Sequence, residues 1–221
     1  MKEKLSRLFS SKTFLLVQAL VVVPLLSFML ITVSEESPLY TSISRIAWVH
    51  GYWFATFLWA LVVMGTIVWL TWRMVSISPL SQRTRIHFFL IQFIHIALVF
   101  TGCLLFPAKP GPDAVRFVHL VHDYLTAAAW LLYVIGLIAY SLLIRKKDRF
   151  LGFLGLCLMG FVVLSSVFYL LRVIDPSSYV GASALSEVYI INGLLIYLAV
   201  MYVAQDYTNR LQESQPVAHP Q

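Results

Sequence analysis

Six apolar runs, separated by short polar connections, leave this chain few ways to fold. They fall at 14–33, 46–72, 86–106, 117–144, 150–171 and 185–204. A helix rises about 1.5 Å per residue, so each run is long enough to cross ~30 Å of hydrocarbon. In lipid every backbone N–H and C=O must find its partner inside the protein. Helices achieve this locally and barrels by closure, and these runs lack the alternation of barrel strands. The expectation is an all-α, polytopic membrane protein of six transmembrane helices. Only 12% of residues are charged, against roughly 25% in a soluble domain, and the mean hydropathy is +0.83. Soluble fold classes are thereby excluded.

Lysine and arginine set the orientation. One side of the bundle receives Lys2, Lys4, Arg7, Lys12, Arg73, Arg83, Arg85, Arg145, Lys146, Lys147, Arg149 and Arg210, twelve of the chain's 16 basic residues. The other receives Arg45, Lys109, Arg116 and Arg172. The positive-inside rule then puts both termini in the cytoplasm. The net charge of +6 belongs to these loops and sets topology, so no nucleic-acid partner is expected. Residues 1–13 read as a cytoplasmic leader, 14–206 as the bundle, with the first span as an uncleaved signal anchor, and 207–221 as a disordered cytoplasmic tail. Pro24 is expected to kink the first helix, and Gly65, Gly102, Gly136, Gly155 and Gly160 to allow close helix contact. Cys103 and Cys157 lie at different depths, too far apart for a bridge.

With this orientation His50, His119, His122, Asp123 and Glu187 all fall near the outer ends of the second, fourth and sixth helices. Ionisable groups are costly near hydrocarbon, so a cluster at one depth is a functional-site hypothesis by default. The plain alternative is a set of interfacial side chains, each tied to a neighbour and holding the bundle together. Three chemistries fit the residue types. His119, His122 and Asp123 are neighbours on a helical surface and could join His50 as zinc ligands, although no diagnostic metal motif occurs. His50 with His119 or His122 could ligate a single haem b; the second histidine pair of a two-haem wire is missing from the opposite half. An outer-leaflet pocket could hold a lipid head group, with arginine pairing a phosphate and His–Asp pairs serving as acid and base in hydrolysis or transfer. No G-x-S-x-G elbow is present.

The stretch VRFVHLVHDYLTAAAWLLYVIGLIAYSLL, with its V-H-D followed by small residues, resembles the fourth helix of the DRAM-like membrane proteins. These are six-helix proteins that include autophagy modulators, GPI-lipid remodelling factors and bacterial relatives. GASALSEVYIINGLLIYLAVMYVAQDY is similar to their last helix, and ESPLYTSISRIAWVHGYW to their first lumenal loop, with SISRIAW in place of the usual S-D-T-G-like run. The resemblance implies six helices, cytoplasmic termini and a lipid-related or regulatory role. By the match, His122 and Asp123 correspond to the helix-four H-D pair and Glu187 to the helix-six glutamate.

The resulting expectation is an integral membrane protein that binds or handles lipid, or regulates a membrane partner, through an extracytoplasmic-side polar pocket. His122, Asp123 and Glu187 form its core, with His50 and His119 beside them. A haem b cytochrome subunit and a metal- or acid/base-dependent lipid hydrolase or transferase are the alternatives; no cofactor is expected under the leading reading. Membrane lipids and a membrane protein are the expected partners. The membrane is the cell membrane in a bacterium and an endomembrane in a eukaryote.

Overall fold

The computed structural model describes residues 12–33, 42–106, 118, 121–174 and 184–214, by backbone alone at 123, 165, 167–174 and 184–186. The described residues are all-helical, without strands. Helix α1 covers Lys12–Val33, α2 Ile43–Trp48, α3 Trp53–Ser76, α4 Gln82–Leu105, α5 Thr126–Arg145, α6 Arg149–Ile174 and α7 Ala184–Ser214. Five stretches are long and apolar enough to cross a membrane, namely α1, α3, α4, α5 and Glu187–Ser214 of α7; the described apolar part of α6, Arg149–Leu164, is shorter.

Contacts run α3–α4–α5–α6–α7 and back to α3, closing a ring, with α1 packed against α3 and α7. The ring faces outward with apolar side chains. Phe28, Phe54, Phe153, Phe161 and Leu164 are each more than 60% exposed. In water such a surface would be a liability, but in lipid it is the contact surface.

Inside the ring the packing is partly polar. Tyr133, Tyr140 and Tyr197 are fully buried. The Tyr133 hydroxyl meets Thr71 of α3 at 3.2 Å, and Tyr140 donates to the Met74 carbonyl at 3.4 Å. Gln205 of α7 donates to Tyr140 at 2.9 Å, and Tyr197 pairs with Ser141 of α5 at 3.0 Å. Tyr133, Leu137, Tyr140 and Ile144 recur at helical spacing, so one stripe of α5 fills the centre. Interhelical hydrogen bonds of this kind are worth about 0.6 kcal/mol each on average within a membrane.

One end of the ring is fastened by ionic and polar contacts. Lys12 at the start of α1 pairs with Asp206 of α7 at 2.6 Å, and Arg210 reaches the same carboxylate at 3.2 Å. Lys12 and Arg73 both lie over the Tyr202 ring. Asn209 donates to the Ile77 carbonyl beyond α3 at 2.9 Å. Asp148 caps α6 by accepting the Leu151 N–H at 3.0 Å. Helix α7 itself continues to Ser214, so residues 207–214 of the expected disordered tail are helical; residues 215–221 lie outside the described residues.

Other expectations are corrected in detail. The second run, 46–72, is not one helix. It breaks after Trp48 and restarts at Trp53, because Gly51 adopts φ 78°, a left-handed conformation that interrupts helical hydrogen bonding. Pro24 is accommodated by a π-helical segment, Gln18–Val22, directly before it, in which the Val23 N–H bonds the Gln18 carbonyl. Among the glycines, Gly102, Gly136 and Gly155 do sit where a Cβ would strike Thr126, Gln92 and Ser141. Gly65 and Gly160 have no atom within 4 Å of that position, so they mediate no close approach among the described residues. Cys103 and Cys157 are not joined in a disulfide.

Candidate functional site

The end of the ring opposite Lys12 and Asp206 is built from capped helix termini. A helix leaves its last carbonyls without intrahelical partners, and in lipid no water is there to take them. Three side chains from other elements serve the C-terminus of α4. Trp48 Nε1 donates to the Cys103 carbonyl at 3.4 Å, and Trp53 Nε1 to the Leu104 carbonyl at 3.2 Å. His122 Nδ1 lies 3.0 Å from the Gly102 carbonyl and 2.7 Å from that of Phe106. Both partners are carbonyl oxygens, so Nδ1 carries the proton, and in the neutral ring Nε2 is left as an acceptor. Trp48 and Trp53 thus act as caps for the C-terminus of α4.

His122 is 6% exposed and sits in a π-helical turn, Val121–Leu125, leading into α5. Such turns are uncommon and often mark functional positions. The wider turn contains the His122–Asp123 pair itself.

Glu187, in the first turn of α7, performs the matching role at an N-terminus. Its Oε2 accepts the Ile43 N–H at 2.8 Å, the first amide of α2, where a negative group is favoured. Ser42 completes the cap by accepting the Arg45 N–H at 3.2 Å. The carboxylate therefore anchors α2 across the end of the ring.

Between these caps lies a partly open cavity of about 130 Å³. Trp59, Ala60, Val63 and Ile67 of α3, Ile96, Val99, Phe100 and Leu104 of α4, Trp130 of α5, and Ile190 and Ile191 of α7 form apolar walls. Its polar lining comes from Ser44, Thr56, Cys103, His122, Thr126 and Glu187. An apolar cavity of about 150 Å³ holds a benzene-sized guest, so this one suits a small head group or a few carbons of a chain.

Of the five residues singled out by sequence, His122 and Glu187 line the cavity. His50 does not; it occupies the break between α2 and α3 rather than the start of a span. Asp123 lies in the π turn, described by backbone alone, and His119 lies outside the described residues, as do Lys109, Arg116 and Asp175. No group of three His, Cys, Asp or Glu side chains is placed to hold a metal among the described residues. Among the described residues, His95 Nδ1 on α4 is buried without a hydrogen-bond partner, as is Oε1 of Gln92 three residues earlier.

Sequence reasoning missed Thr56, Trp59, Thr126 and Trp130. The signal was present in part: Thr56 and Trp59 are three apart on α3, and Thr126 and Trp130 four apart on α5, so each pair shares one helix face. Comparison with known proteins returns no match among family models, curated proteins or solved structures.

Proposed function

We propose that this protein is a six-span membrane protein with both termini in the cytoplasm, and that it binds or handles lipid through the cavity beside His122 and Glu187. The observation that carries this reading is the cavity itself: apolar walls inside a lipid-compatible ring, with a few polar groups confined to one end. Ligand sites typically combine an apolar lining with a small number of placed polar groups. The orientation is supported by the basic residues Lys12, Arg73, Arg85, Arg145, Lys146, Lys147, Arg149 and Arg210, which flank helix ends on the side away from the cavity. The sixth span is α6, whose 26 residues are long enough to cross. Kinship with the DRAM-like proteins is proposed on the V-H-D and S-E segments already quoted.

The test is native mass spectrometry of the chain released from lipid nanodiscs, beside Ala60→Phe, which fills the cavity from its α3 wall. Wild type should retain a bound lipid or amphiphile at about one per chain, and Ala60→Phe should lose it. Equal retention by both would mean that only annular lipid is held, and the pocket reading would fail. The same sample reports on haem through its Soret absorption.

A further inference from the structure

The basic side chains at the Lys12 end of the ring divide into two sets. One set is engaged within the protein. Lys12 and Arg210 hold Asp206, Arg73 lies over the Tyr202 ring and donates to its hydroxyl at 3.4 Å, and Arg85 donates to the Ser76 carbonyl. The other set is exposed and, among the described residues, its side chains make no hydrogen bond or ion pair. It consists of Arg83 on α4 and a group of four, Arg145, Lys146, Lys147 and Arg149, which fall within five positions at the turn from α5 into α6. The carboxylate between them, Asp148, is directed elsewhere: its Oδ1 accepts the Leu151 N–H at 3.0 Å as the cap of α6.

The turn that carries these cations is fixed. The N–H groups of Lys147 and Asp148 both donate to the Ile144 carbonyl, at 2.8 and 2.7 Å, and the Gly152 N–H donates to the Asp148 carbonyl at 3.1 Å. Gly152 admits the Arg145 backbone at a distance that no Cβ would allow. Like charges crowded on so short a backbone repel one another, and an anion from outside relieves that repulsion. Beside them Phe150 and Phe153 of α6 are 69% and 62% exposed, so an apolar, lipid-compatible surface adjoins the charges. That neighbour favours a lipid head over an acidic peptide or a nucleic acid.

We propose that the α5–α6 turn is a second lipid site, distinct from the cavity, that binds a phospholipid whose phosphate is a terminal monoester. The proposal does not depend on the cavity reading. A cluster of about four or more Lys and Arg at the end of a membrane span attracts anionic lipid, each cation contributing about fivefold in affinity. A phosphate monoester carries about −1.5 to −2 at neutral pH and three terminal oxygens, so it can meet an arginine fork and lysine ammonium groups together. A phosphodiester head offers one charge and two such oxygens, and leaves more of the cations unmatched. Phe150 and Phe153 then lie where the acyl chains descend along α6.

The test is native mass spectrometry of the full chain, delipidated in detergent and offered an equimolar mixture of phosphatidic acid, phosphatidylglycerol and phosphatidylcholine with matched acyl chains. Wild type should retain phosphatidic acid about fivefold or more over phosphatidylglycerol, and Lys147→Gln and Arg149→Gln should each lower that retention about fivefold. Both positions are exposed, so the variants should melt with wild type. Arg210→Gln removes the same charge from a cation already held by Asp206, and should leave retention unchanged. Equal retention of the two anionic lipids by wild type would overturn the head-group assignment. A loss in Arg210→Gln as large as in Arg149→Gln would reduce the effect to general surface charge and overturn the site. Ala60→Phe fills the cavity at the other end and should retain phosphatidic acid as wild type does; loss there would assign this lipid to the cavity and overturn the turn site, whatever becomes of the cavity reading. Glycerol 3-phosphate in about tenfold excess should displace nothing, because it lacks the chains that Phe150 and Phe153 contact. Displacement would show that phosphate alone is recognised, and the lipid proposal would fail.

Discussion

Glu187 Oε2 accepts the backbone N–H of Ile43 at 2.8 Å, joining the last long helix to a short one 144 positions earlier. The contact gives the membrane glutamate a definite structural task. Removing it in Glu187→Ala should cost about 1–2 kcal/mol, the range for losing an N-terminal cap. Glu187→Gln keeps an acceptor oxygen and should lose less than half of that. Thermal unfolding in detergent, followed by circular dichroism, ranks the three; equal losses for Ala and Gln would show that charge, not the hydrogen bond, holds α2.

His122 offers a parallel separation of roles. Its Nδ1 donor can be imitated by the side-chain amide of asparagine, whereas phenylalanine fills the space without a donor. His122→Asn should stay within about 0.5 kcal/mol of wild type, and His122→Phe should lose about 1–2 kcal/mol because the Gly102 and Phe106 carbonyls lose their donor. Unfolding in graded sodium dodecyl sulfate measures both. If Asn destabilises as much as Phe, the ring is held by packing rather than by its Nδ1 proton.

Glycine substitutions should divide sharply. At Gly152 a Cβ would strike the backbone of Arg145 across the tight α5–α6 turn, which no rotamer change relieves. Gly152→Ala should therefore cost about 1–3 kcal/mol, as overpacking does. Gly65→Ala and Gly160→Ala meet open space and should leave stability unchanged or raise it. A thermal-shift series on the three variants decides the matter, and a neutral Gly152→Ala would contradict the turn geometry.

The Lys12–Asp206 pair is about a quarter to a third exposed, so its contribution is modest. Lys12→Met and Asp206→Asn should each destabilise by about 1 kcal/mol or less. In a double-mutant cycle the coupling should be positive, about 0.5 kcal/mol, and should shrink in high salt. A salt-independent coupling would locate the effect in the contact of Lys12 with Tyr202 instead.

Hydropathy made the long helices legible because lipid imposes length and apolarity on any segment that crosses it. It did not reveal which face of each helix turns inward. A helix surrounded by lipid is apolar on both faces, so the contrast that marks a soluble amphipathic helix is absent. The inward face of α5 is marked instead by Tyr133, Tyr140 and Ser141, three polar positions at i, i+7 and i+8. The break at 49–52 had one visible sign, Gly51 after a run of aromatic and β-branched residues, but its backbone conformation is a property of the fold. For the candidate site, the shared end of His122 and Glu187 followed from counting along helices. Their partners, the α4 carbonyls and the Ile43 amide, are backbone groups that carry no signature in sequence.

The fastening of Lys12 to Asp206 has a consequence for how the protein is made. The two residues are 194 positions apart, and ribosomes add about 5–20 residues per second. The first helix therefore enters the bilayer roughly 10–40 s before its carboxylate partner exists, at the synthesis rates just cited. Gln18 meets its partner much sooner, because Thr66 of α3 lies only 48 positions further along the chain. The pairing of α1 with α7 can close only after Asp206 has been made.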